Sequence, residues 1–133
     1  MNLKKCLIVC LLIALSSVAY AQTNQEPSIP ETPAGRMAAG YIKAFNSGDP
    51  KELVAFMKQN DGRPNNESPG PNIVKKIMED LGKLNVTEIT WSKDHQISVA
   101  LKSQNGKKIL LDCYVEAATP HKITYLRFEL IKD

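Results

Sequence analysis

The chain has 133 residues, 17 basic and 14 acidic, a formal charge of +3. With 43% hydrophobic and 23% charged residues it has the composition of a single globular domain. Seven glycines, eight prolines and three cysteines exclude a collagen-like chain and a disulfide scaffold.

The first segment reads as an export signal. Met1-Asn2-Leu3-Lys4-Lys5 is basic, Cys6 to Leu15 is apolar, and Ala19 and Ala21 are the small residues before a cut at Gln22. The apolar run is shorter than the roughly 20 residues that span a bilayer, so no membrane span is expected after cleavage. The expected location is the periplasm or the extracellular medium. Removing residues 1–21 takes Lys4 and Lys5 away and leaves 112 residues, with 15 basic and 14 acidic side chains. No dense basic stripe remains, so a nucleic-acid partner is not expected. Cys113 is then the only cysteine. It lies between apolar neighbours and reads as a small buried hydrophobe.

Residues 22–33 carry Pro27, Pro30 and Pro33 and read as an extended spacer before a domain at 34–133. Thr32 is a cap with Pro33 in the first turn, opening a helix to about Phe45. Met37, Ala38, Tyr41, Ile42 and Phe45 form its apolar stripe. Asn46-Ser47-Gly48 stops it. Asp49-Pro50 starts a second, short helix, with Glu52 placed to reach back as in a capping box. Leu53, Val54, Phe56 and Met57 are its buried side. Lys58 to Pro71 is a polar loop containing the sequon Asn66-Glu67-Ser68, and a second sequon is Asn85-Val86-Thr87; both are read as chance triplets. Asn72 is expected to cap a third helix that ends at Gly82, with Ile73, Val74, Ile77, Met78 and Leu81 buried.

Four strand patterns follow at Leu84–Ser92, Gln96–Gln104, Lys107–Glu116 and His121–Ile131. Asn105-Gly106 favours a two-residue turn. That turn pairs Leu101 with Leu110, Val99 with Asp112 and Ile97 with Tyr114 on one face. A bulge would instead turn Ile109, Leu111, Cys113 and Val115 inward. The order predicts an α+β fold, three N-terminal helices packed on a curved antiparallel sheet of about four strands.

Thr32-Pro33-Ala34-Gly35-Arg36, Ala44-Phe45-Asn46-Ser47-Gly48-Asp49 and Pro120-His121-Lys122-Ile123 resemble the nuclear transport factor two-like (SnoaL-like) superfamily. The resemblance spans about residues 32–131. It is nearest to the accessory domain attached to secreted serine hydrolases of the beta-lactamase class. It implies a cone-like fold with a cavity between helices and sheet, and a homodimer formed through the sheet. A hydrolase of that class needs Ser-x-x-Lys, and no serine here has a lysine three residues on.

Three functions are weighed. The leading one is an exported non-catalytic binding or interaction module, with a small apolar ligand or a secreted hydrolase as partner. The second is a cavity enzyme like the ketosteroid isomerases and polyketide cyclases, with Asp112 as general base and Tyr114 or His121 beside it. The third is an inhibitor or immunity-like protein for a secreted partner. Tyr41, Trp91 and Tyr125 complete the ligand-contact candidates, Trp91 being expected on the face of Ile89. His95 is read as a solvated turn residue. Neither histidine has a third ligand at metal spacing, so no metal or other cofactor is expected.

Overall fold

The computed structural model describes residues 25–65 and 68–132. The segment expected to be an export signal, and most of the sequon at 66–68, lie outside them. Three helices precede four strands: α1 Pro33–Asn46, α2 Pro50–Asn60, α3 Pro71–Leu81, then β1 Leu84–Lys93, β2 Gln96–Ser103, β3 Lys108–Val115 and β4 Ile123–Leu130. The strands form one antiparallel sheet in chain order. The fold is therefore α+β, as expected. Among the described residues no helix is long and apolar enough to cross a membrane.

Helix α1 begins as its sequence dictates. The Thr32 hydroxyl accepts from the Gly35 amide at 3.0 Å, and Pro33 occupies the first turn. Gly35 is required by a close approach, because a Cβ there would lie 1.9 Å from the Pro30 carbonyl oxygen. The proline-rich spacer thus ends in contact with the domain, and Ile29 packs against the core. The expectation that residues 22–33 add nothing to the core fails at this end.

The junction after α1 carries most of the local order. Asn46 donates to the Leu84 carbonyl and accepts from the Leu84 amide, both at 2.8 Å, so one side chain pairs with β1 as a strand would. Gly48 takes a φ of 73°, a left-handed conformation that glycine adopts without strain. The Asp49 carboxylate accepts from the Lys51 amide at 2.9 Å and caps α2. The Asp49 amide goes to the Ser47 hydroxyl at 3.1 Å, the position expected for a Glu52 capping box. At α3 the cap is Gly70 with Pro71 in the first turn, not Asn72, and no side chain bonds the end. Ile73, expected on the buried side, is 56% exposed, while Val74, Met78 and Leu81 are buried.

Helix α1 packs on β1, β2 and β3, α2 packs on α1, and α3 packs on α2. The core lies between α1 and the inner sheet face, where Ile97, Val99, Leu101, Ile109, Leu111, Cys113 and Ile123 are fully buried or nearly so.

The β2–β3 hairpin differs from the turn expected. Ser103 donates its amide to Lys107 O at 2.9 Å and accepts the Lys107 amide on its hydroxyl at 2.9 Å. Gln104, Asn105 and Gly106 form a three-residue loop. Only Gly106 among them has positive φ, at 83°, whereas the two-residue turn needs it at Asn105 also. The pairs are Leu101–Ile109, Val99–Leu111, Ile97–Cys113 and Ser98–Asp112. Ile109, Leu111, Cys113 and Val115 therefore face inward, and Leu110, Asp112 and Tyr114 face outward. The loop length causes this, since the two strands pair without a bulge.

Replacing Asn46 with alanine removes both bonds and leaves Leu84 backbone groups unpaired. Chemical denaturation is expected to show a loss of about 1–3 kcal/mol, whereas Asn85→Ala on the exposed neighbour is expected to be near neutral.

Candidate functional site

The inner surfaces of the helices and the edge of the sheet enclose a cavity of about 240 Å³. Its size falls between the roughly 150 Å³ that holds benzene and the ~300–1,000 Å³ of drug-sized sites. Tyr41 and Phe45 of α1 line it, with Leu53, Val54 and Met57 of α2 and Val74 and Ile77 of α3. Leu126 and Phe128 of β4 close the sheet side, and Arg63, Ser68 and Pro69 contribute the loop side. The periodicities of α1, α2 and α3 aim these residues at one space. Phe45 and Phe128 stack with ring centres 5.7 Å apart, and Tyr41 meets Phe128 at 6.1 Å and Phe56 at 6.4 Å.

Tyr41 is the polar group of the apolar wall. It is 8% exposed and its hydroxyl has no hydrogen-bond partner among the described residues. No fully buried polar atom is left unsatisfied there, so this hydroxyl stays in contact with the open space. Burial disfavours the phenolate and pushes its pKa well above the usual tyrosine value.

At the loop side, one carboxylate organises the chain. Asp61 accepts from the Arg63 amide at 3.0 Å and from Arg63 Nε and a terminal guanidinium nitrogen at 2.9 and 2.7 Å. The Ser68 hydroxyl adds a contact at 3.2 Å. The Asp61 side chain is 2% exposed. Its backbone bridges to Ile123, and Gly62 donates to the Ile123 carbonyl at 2.8 Å, which pins the loop to the start of β4. The hydrogen bonds from Arg63 chiefly hold the Asp61 carboxyl below its ordinary pKa. Sequence reasoning missed this group. Its visible signal was Asp61-Gly62-Arg63, an aspartate able to accept from the amide two residues on.

The sequence candidates divide between two faces of the sheet. Tyr41 enters the cavity. Asp112 does not; it is 4% exposed but lies on the outer face, where it accepts from Ser98 Oγ and from Arg127 Nε at 2.8 Å. Arg127 also approaches Glu129 at 3.3 Å. The carboxylate is thus paired across β2, β3 and β4 and is remote from the cavity lining, so its assignment as a cavity base is corrected. Arg127 was not anticipated, and neighbouring Asp112 holds its guanidinium pKa above the ordinary value.

Tyr114 and Tyr125 are on the same outer face as Asp112, with rings 5.0 Å apart. Trp91 pairs with Ser98 and so also faces outward, whereas Ile89 pairs with Val99 inside. A register shift between Ile89 and Trp91 separates two residues expected on one face. His121 stands apart, in the loop before β4. Its Nδ1 bonds the Glu116 carbonyl at 2.8 Å, and its ring lies 5.7 Å from that of His95, which is half-buried and not simply solvated. Cys113 is fully buried, and burial pushes its thiol up to about 12. Among the described residues no group of three or more histidine, cysteine or acidic side chains forms a metal cluster.

A scan against protein-family models gives no match, and a search of curated proteins gives none.

Because the Asp61 pKa is lower in the folded chain, its stabilisation is complete above the unfolded value near 3.9 and is lost as pH falls through the folded value. Asp61→Asn is expected to lower stability at pH 7 by about 1–3 kcal/mol and to flatten the stability profile below about pH 4. Urea titrations across that range measure both.

Proposed function

We propose that the chain is a non-catalytic binding module of the nuclear transport factor two-like type that holds a small, largely apolar ligand between its helices and sheet. The observation carrying this reading is the composition of the cavity wall. It presents aromatic and aliphatic side chains and the Tyr41 hydroxyl, with Arg63 and Ser68 on the loop side, and among the described residues its lining contains no carboxylate or imidazole. An apolar enclosure with few polar groups is the usual form of a small-molecule site. Proton abstraction in such a site needs a base within reach of the substrate, and Asp112 lies on the far face of the sheet.

The order of elements, the Phe45–Asp49 junction and the position of the cavity agree with the family resemblance. The N-terminal signal pattern adds an exported setting to this proposal, and the resemblance adds a secreted serine hydrolase as companion.

A second reading, pairing of two copies through the outer sheet face, is favoured by Trp91 and Tyr125. These large aromatic residues are 40% and 42% exposed on that face. Exposed aromatic side chains are enriched in protein interfaces, and sedimentation velocity tests the pairing directly.

The neutral fluorophore N-phenyl-naphthylamine is expected to bind with increased emission. Val74→Phe, which fills the cavity from α3, is expected to weaken it by about tenfold or more at a stability cost of about 1–3 kcal/mol. Equal binding by the folded variant, or none by the wild type, would contradict the reading.

A further inference from the structure

The loop before β4 and the turn between β1 and β2 are far apart in the chain but bring two imidazoles together. His95 and His121 have ring centres 5.7 Å apart with their planes inclined by 35°. The separation is informative. With each nitrogen about 2.0–2.1 Å from a shared ion, two imidazole centres lie roughly 4.5–6.4 Å apart, depending on the angle at the metal.

The tautomer of His121 follows from its neighbour. Nδ1 is 2.8 Å from the Glu116 carbonyl oxygen. A carbonyl only accepts, so Nδ1 carries the hydrogen of the neutral ring and Nε2 keeps its lone pair. A backbone carbonyl on the distal nitrogen is also the usual orienting partner of a metal-ligating histidine. His95 makes no ring hydrogen bond among the described residues, so neither of its nitrogens is committed there.

Both backbones are held in place. The Val115 amide donates to the His95 carbonyl at 2.9 Å, and the His121 amide donates to the Ala118 carbonyl at 2.9 Å. His121 has a φ of 57°, the only positive value at a non-glycine residue among those described. Such a conformation is unusual for a side-chain-bearing residue and is maintained by its surroundings.

We propose that His95 and His121 form a two-imidazole site for a divalent copper ion, with water in the remaining positions. Copper is chosen because imidazole nitrogen suits it and because it heads the affinity order of the divalent first-row metals. Water fills those positions because among the described residues no third histidine, cysteine or acidic side chain completes a cluster. The ion clamps the β1–β2 turn to the loop entering β4. It also acts next to the start of α1, since the Ala34 amide donates to the Asp94 carbonyl at 3.0 Å.

The experiment titrates Cu²⁺ into the full chain, purified without a histidine tag. Paramagnetic resonance is expected to show two nitrogen ligands at one equivalent. The ring signals of both histidines are expected to broaden together in proton spectra. His95→Asn and His121→Asn are each expected to weaken binding on the order of tenfold to a hundredfold, with Zn²⁺ weaker than Cu²⁺ in the wild type. Asparagine tolerates the left-handed backbone at position 121, and circular dichroism of the metal-free variants checks their fold. Unchanged copper affinity in the folded double variant, a spectrum with one nitrogen, broadening of one ring alone, or no binding at one equivalent would overturn the proposal.

Discussion

In an antiparallel pair, moving one strand by a single residue turns every side chain to the opposite face. The loop Gln104-Asn105-Gly106 makes that choice for the centre of this sheet. With three residues in the loop, Ile97, Val99 and Leu101 share the inner face with Ile109, Leu111 and Cys113. With two, the same inner residues would sit beside Leu110, Asp112 and Tyr114. Each large aliphatic side chain kept from water is worth about 1.5–3 kcal/mol, and an unpaired carboxylate in the core would cost several more. The apolar alternation of β3 therefore outweighs the local preference of Asn-Gly for a tighter turn. The chemistry of the interior follows, because the same choice sends Asp112 outward to Ser98 and Arg127.

The cavity depends on a second constraint, the distance between α1 and β1. Asn46 fixes it by bonding both backbone groups of Leu84. The bend at Gly48 then lets α2 leave at once, capped by Asp49. Helix α1 rests on the sheet while α2 and α3 stack away from it, so a space opens between the outer helices and β4. The loop beyond α2 borders that space, held by Asp61, Arg63 and Ser68. A polar cluster at the rim and an apolar wall inside favour a ligand whose bulk is apolar.

Much of this was legible in the chain. Thr32-Pro33 and Asp49-Pro50 announce two helix starts through capping chemistry. The strand segments are bounded by turn residues within a residue or two of where they lie. What sequence patterns conveyed poorly was register. Trp91 and Ile89 look like same-face neighbours until a register shift separates them. Asn-Gly favours a tight turn that would point Asp112 inward, whereas the alternation Ile109, Leu111, Cys113, Val115 favours the register the sheet adopts. Contacts formed by distant chain segments left little trace in the sequence: Arg127 with Asp112, and His95 beside His121. Tyr41 was foreseen because a helical stripe fixes direction by itself.

The pairing of β2 with β3 is best tested by interstrand proton contacts in solution. Nuclear Overhauser effects are predicted between the backbones of Ser98 and Asp112 and of Leu101 and Ile109, each directly opposite the other. Contacts joining Val99 to Asp112 and Leu101 to Leu110 as opposed pairs would contradict the account, since they would return the carboxylate to the inner face.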